Sequence, residues 1–368
     1  MPWPHPTPIV AVACASDGSA IATGSGGAPA REPDAPMVGV TIWDIARSAP
    51  RVTSPVEGGV SAAPRSGSRL QFSSDGRRLG FNHLENAVGV LDTRSGRVHA
   101  SALASARLTA PSFALSPGGE RLVVGAADDT PGAWATTFSV SSGGPLARLR
   151  APAASRSLEV LAWRDGLVHG LDADALVALD PSTGAIVRSE PLPERVDLER
   201  VWCAPGSGDV WLATERGLAR RSLDGEPGVD LPISGVRALA FAAGARTVGI
   251  VRHDAEHGEE ALVLDGGAIL ARIPGPFARA EERAPDVAPL ALEPGGSAVA
   301  VARPGGRIEG EPIEIVRASG SFTRMRLPAI EGASALLWPA PDVLVALGPR
   351  VVAFFRPSGE LLARYAPG

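Results

Sequence analysis

The chain has 368 residues, 45% of them hydrophobic and 20% charged, with a formal net charge of −5. All 35 basic residues are arginine, which excludes Schiff-base, P-loop and general-base lysine chemistry. The acidic balance and the scatter of the arginines argue against a nucleic-acid binder, which needs clustered positive charge.

Residues 1–8 form a Pro-rich arm that includes Trp3 and His5 and lacks the basic and apolar regions of a secretory signal. No apolar run approaches the roughly 18 residues that span a bilayer, so membrane insertion is not expected. Cys14 and Cys203 make no disulfide framework, and the expected compartment is the cytoplasm with both thiols reduced.

From residue 9 to 368 one pattern recurs: an alternating apolar run, a turn rich in Asp, Gly and Pro, then a second apolar run. It opens at 10–21 (VAVACASDGSAI) and is clearest at 70–81 (LQFSSDGRRLGF), 113–124 (FALSPGGERLVV) and 290–301 (LALEPGGSAVAV). The last apolar residue before each turn marks a column: Cys14, Phe72, Leu115, Trp163, Cys203, Phe241, Leu292 and Trp338. These markers are about 46 residues apart on average, and eight such units fill the chain. The units run near 9–55, 68–100, 111–150, 158–192, 199–232, 236–274, 288–328 and 333–366.

Each unit reads as four short strands. Alternation marks the first. The second follows the turn, as at 121–125, 209–213, 247–251 and 342–346. The third often ends in an acid, at Asp44, Asp92, Asp180 and Asp265, and a hairpin such as 93–97 leads to the fourth. Glycine and proline make up about a fifth of the chain and leave no room for long helices.

Four antiparallel strands repeated every 40–50 residues predict an all-β fold, a single β-propeller of four-stranded blades. Eight blades are favoured and seven are the alternative, because propellers often close with a composite blade. The turn Ser73-Ser74-Asp75-Gly76 after Phe72, and the strand at 40–44 ending Trp43-Asp44, resemble the strand signatures of WD40-like propellers, including bacterial YVTN-type ones. The resemblance covers nearly the whole chain and implies the fold.

The candidate chemistry is sparse. Cys14, Cys203, Trp163 and Trp338 stand in the marker column and read as core. No Gly-x-Ser-x-Gly elbow or Ser/His/acid trio is present, so no catalytic residue is assigned and no cofactor is implied. Propeller lactonases hold a metal with Glu, Asn and Asp, and the segment 82–86, with Asn82 and Asn86, is the best remnant of such a template. His253, Glu256 and His257 have metal-like spacing inside a stretch, 253–260, that reads as a loop.

Long connections are more informative. Those at 25–37, 128–133, 253–260 and 303–311, and between units at 56–68 and 275–287, all leave one end of the strands. They carry Arg31, Glu32, Asp34, Asp128, Asp129, His253, Glu256, His257, Arg303 and Arg307, a mixed charge that suits a protein partner. The leading expectation is a non-enzymatic scaffold in a bacterial multi-protein system. A metal-dependent, lactonase-like hydrolase and a small-molecule or sugar binder are the alternatives.

Overall fold

A computed structural model describes residues 4–5, 7–26, 39–56, 60, 70–83, 87–103, 112–125, 133–150, 158–172, 175–192, 196–204, 208–242, 246–254, 258–278, 288–304, 311–317, 325–330 and 335–367. These residues form eight four-stranded antiparallel sheets, each a meander in sequence order, arranged as the blades of a β-propeller. The blades span Ile9–Pro55, Leu70–Leu103, Phe113–Arg150, Leu158–Pro191, Val196–Leu231, Val236–Pro274, Leu290–Ile330 and Ala335–Tyr365. Among the described residues no strand crosses from one sheet to another, so eight blades stand and there is no composite seventh.

The marker column has a structural meaning. Cys14, Phe72, Leu115, Cys203, Phe241 and Leu292 close the first strands, paired with Ile21, Leu79, Leu122, Val210, Val248 and Val299 across the first turn. Gly18 shows why the turns need glycine. Its φ is +70°, and a Cβ there would sit 2.1 Å from the Pro339 carbonyl oxygen in blade 8. Gly18→Ala should therefore cost roughly 1–3 kcal/mol of unfolding free energy in urea titrations.

Each sheet is apolar on both faces, so neighbouring blades share cores. One hydrophobic cluster lies at each of the eight blade junctions. Val40 and Ile42 meet Leu79 and Phe81 between blades 1 and 2. The junction that closes the ring, blade 8 to blade 1, packs Trp43 against Phe354 and Tyr365, with ring centroids 5.8 and 5.0 Å away.

Polar bonds repeat around the outside as well. Arg51 donates to the Thr93 carbonyl (3.1 Å), Thr137 to that of Pro181 (3.0 Å) and Arg188 to that of Leu223. In each case a blade's outer half grips the third-to-fourth turn of the next blade. The lone tyrosine repeats this at the closure, with the Tyr365 hydroxyl donating to the Ser48 carbonyl at 3.0 Å. The seam is thus built like an internal junction.

The outermost strands share a defect. In blades 1, 2, 3, 4, 6 and 8 the pairing of third and fourth strands slips at one equivalent place, leaving Arg51, His99, Leu146, Val187, Leu270 and Leu362 unpaired. Such bulges twist an edge strand away from partners. That matters here because Leu146, Val187 and Leu270 are exposed.

The two cysteines pack as partly buried members of the 8–1 and 4–5 clusters. Burial, with minor help from Asp17 and Glu159 respectively, raises each thiol from 9.0 to about 12. At pH 8 the native thiols should react on the order of a thousandfold more slowly than unfolded ones with a disulfide reagent. Equal rates in native and denatured protein would contradict that burial.

Candidate functional site

First-to-second and third-to-fourth turns leave one end of the ring. Second-to-third and inter-blade connections leave the other, here called the connection end. The two ends use their polar residues differently.

At the turn end, the acids that close third strands cap the following turn. The Asp44 carboxylate accepts from Arg47 N–H (3.0 Å), Asp92 from Ser95 N–H (2.8 Å) and Asp180 from Thr183 N–H (3.0 Å). Bonds from Ser182, first its hydroxyl and then its amide, hold the Asp180 carboxyl down at about 2. Asp44, Asp92 and Asp180 are therefore turn residues.

At the connection end, blades 6 and 7 carry a charged pedestal. The second and third strands of blade 6 (Thr247–Asp254 and Gly258–Asp265) put Arg252 directly opposite Glu260. Both are buried. Arg252 Nε donates to Glu260 Oε1 at 2.8 Å, and Arg272 Nη1 reaches the same carboxylate at 3.1 and 3.2 Å. Burial alone would raise the Glu260 carboxyl. Bonds and charge from Arg252 and then Arg272 more than offset this and leave it below its ordinary value.

Beside this group, Glu259 and Arg303 fix the base of the 275–289 connection. The Glu259 carbonyl accepts from Gly275 N–H (2.7 Å) and its carboxylate from Phe277 N–H (3.0 Å). Arg303 pairs with Glu314 at 3.1 Å, donates to the Pro276 carbonyl at 3.2 Å and lies over the Phe277 ring, 5.1 Å from its centroid. Gly275–Pro276 is a cis peptide. The connection thus leaves the ring from a fixed base.

Two of the sequence-chosen residues fall among the described ones. His253 is exposed at the end of its strand, its amide bonded to the Gly235 carbonyl (2.9 Å). The stretch 253–260 is mostly strand rather than loop, because His253 pairs with Glu259 and Asp254 with Gly258. The Arg303 guanidinium is engaged within the chain. Arg31, Glu32, Asp34, Asp128, Asp129, Glu256, His257 and Arg307 lie outside the described residues, as do 84–86 of the Asn-containing segment and Trp3. Asn82 is buried in blade 2 with its Oδ1 unpartnered.

The sequence reading missed Arg252, Glu260, Arg272 and Glu259. The signal was present: a hairpin centred on residue 256 makes Arg252 and Glu260 cross-strand partners, the arrangement in which opposite charges stabilise a sheet. His169 is a further buried group, in the second strand of blade 4 (Leu167–Asp172). Burial first, then Arg188, lowers its pKa and keeps it neutral.

Chemically, the Thr23 hydroxyl lies 2.7 Å from the His5 imidazole, but both groups are buried, so this pair presents no accessible nucleophile beside a base. No group of three or more His, Cys, Asp or Glu among the described residues is arranged to hold a metal ion. No helix among the described residues is long and apolar enough to cross a membrane.

No known family matches the chain, and no curated protein matches it either. Solved structures do. The dihydro-haem d1 dehydrogenase NirN, determined in complex with DHE, is 16% identical with a TM-score of 0.59, covering 100% of this chain and 74% of that one. A eukaryotic initiation factor is 13% identical with a TM-score of 0.56, over 98% and 88% of the two chains. The computationally designed Ika8 protein is 14% identical with a TM-score of 0.54, over 98% and 97%. At these identities the likeness concerns architecture alone, and by architecture this chain is an eight-bladed β-propeller.

Proposed function

We propose that this chain is a non-enzymatic scaffold of the WD40-like or YVTN-type kind, holding a protein partner at the connection end within a bacterial multi-protein system in the cytoplasm. The observation that carries the reading is the contrast between the ends. Tight capped turns such as 45–48 and 93–97 finish one end, whereas connections 26–38, 56–69, 275–289 and 303–310 depart from the other. The 275–289 connection rises from the pedestal of Glu259, Arg303 and Phe277. Rigid rings that carry long connections present them as binding surface. The mixed charge of Arg31, Glu32, Asp34, Asp128, Asp129 and Arg307 suits a protein surface.

The test shortens 27–38 and 280–286 separately, with far-UV circular dichroism to check folding, and compares proteins co-purified from the native host. A defined partner should lose at least tenfold in affinity for one or both shortened chains. It should bind normally when turn 93–96 is altered. Retention by both shortened chains, or stoichiometric metal with hydrolysis of lactones, would overturn the reading.

One observation favours small-molecule binding as a second reading. A cleft of about 460 Å³ opens at the turn end of the 8–1 seam, lined by Asp17, Arg47, Ser48, Asp342 and Arg356 over Ile45 and Val343. The cleft is open to solvent and lined about equally by polar and apolar groups, so a ligand there would be held by charge rather than by enclosure. Under this reading a ligand carrying both charges would lose affinity in Arg47→Ala and Asp342→Ala.

A further inference from the structure

The turn-end cleft of the 8–1 seam lies where an internal seam locks shut. Between blades 4 and 5 the corresponding turns are tied together: Arg188 donates to the Leu223 carbonyl, and Arg164 pairs with Asp224 at 2.8 Å. Blade 8 has alanine at both places. Ala363 stands opposite Phe354 as Arg188 stands opposite Ala178. Ala340 ends its first strand opposite Val343 as Arg164 does opposite Leu167. A methyl group at either position is too short to reach the 45–48 turn of blade 1, and about 460 Å³ stays open. Contacts bound the gap on two sides. Gly18 lies against the Pro339 carbonyl toward the axis, and Tyr365 bonds Ser48 toward the rim. The floor is apolar, with Ile45 and Val343 buried.

Charge is separated across this gap. Asp17 and Asp342 sit on first-to-second turns, nearer the axis, and Arg47 and Arg356 on third-to-fourth turns, nearer the rim. The Asp342 and Arg47 side chains enter no hydrogen bond or ion pair among the described residues. Arg47 is bonded there only through its backbone N–H, to Asp44. Asp17 accepts the Ser19 N–H with one carboxylate oxygen, at 2.9 Å. Arg356 pairs with Glu360 at 3.4 Å, so Arg47 is the uncompensated cation of the rim side. All four turns lie within the described residues.

We infer that the cleft binds a short free peptide of two or three residues. Its N-terminal ammonium lies between Asp17 and Asp342, its C-terminal carboxylate on Arg47, and its side chains over Ile45 and Val343. This rests on the small-molecule reading of the cleft and adds the ligand class and its orientation. A volume of about 460 Å³ is roughly 8 Å on a side, the span of two or three extended residues at about 3.5 Å each. A single amino acid carries both charges on one carbon and cannot meet both lips. A guanidinium matches a carboxylate with two parallel N–H donors, which suits Arg47 to a peptide C-terminus. A peptide so held touches blades 8 and 1 together and stabilises the closed ring as it binds.

The test is calorimetric titration of the full chain with trileucine at low salt. Free trileucine should bind, and N-acetylation or C-amidation should each weaken it about tenfold or more, the effect of losing one charge-assisted bond. Arg47→Ala should bring free trileucine down to the level of its amide and remove the effect of amidation while keeping that of acetylation. Asp17→Asn with Asp342→Asn should do the reverse. Ala340→Arg, which restores the blade 4 residue, should block binding. No binding of trileucine tighter than about 1 mM overturns the inference. Binding indifferent to both blocking groups, or to Arg47→Ala, overturns it equally. If free leucine binds and is lost in Arg47→Ala while trileucine does not bind, the peptide class falls and the small-molecule reading stands. If neither binds, both fall.

Discussion

Trp43→Ala should lower the free energy of unfolding by about 3–5 kcal/mol, the usual cost of truncating a fully buried tryptophan. Trp43 is 0% exposed and sits where the two ends of the chain meet. Its loss removes the packing on Phe354 and Tyr365 and leaves Thr23 without its indole donor. Trp134 is equally buried, inside the junction of blades 3 and 4, but its indole nitrogen has no partner. Trp134→Ala should therefore lose packing alone and cost less by about 1 kcal/mol, the net value of a hydrogen bond. Tyr365→Phe, which deletes only the bond to Ser48, should also cost about 1 kcal/mol. Urea titrations of the three variants measure the series. A Trp43→Ala loss below 1 kcal/mol would mean that the seam is not packed as described.

Glu260→Ala should be comparably severe, at about 3–5 kcal/mol, because it removes the buried carboxylate that Arg252 and Arg272 share. The penalty is mostly that of positive charge losing its buried counter-charge. Replacing both partners, Arg252→Met with Glu260→Leu, should therefore restore most of the loss. The pair also has a definite pH signature. Because the folded carboxyl lies below the ordinary 4.5, its stabilisation is complete above that pH and disappears as the pH falls through the depressed value. In Glu260→Ala this part of the acid sensitivity should vanish. The histidine part, from His5 and His169, acts between 6.5 and their lowered values and should persist.

The strand plan was legible because each blade writes it twice, once in period-2 alternation and once in turn chemistry. Segments 70–81 and 113–124 carry both signals and became strand–turn–strand units with Phe72 opposite Leu79 and Leu115 opposite Leu122. Closure was legible only in part: the four strands of the last unit favoured eight blades over a composite seventh, but the pattern does not show which side chains join the last blade to the first. The single tyrosine and Phe354 decide it through contacts spanning most of the chain, Tyr365 to Ser48 and both rings to Trp43. The stretch 253–260 read as a loop because its polar run hides a hairpin whose two strands continue beyond the core. In the same way Arg303 looked like a free loop cation, although Glu314 lies across the next connection and accepts from it. Register, not composition, determines which of these charges meet.

A projection down the ring axis tests the architecture most directly, for instance by electron microscopy of the chain rigidly fused to a larger carrier. It should show eight evenly spaced lobes with no gap between the last and the first, matching eight separate four-stranded sheets and eight junction cores. Seven lobes, or a break at the junction of Trp43, Phe354 and Tyr365, would contradict a closed eight-bladed ring.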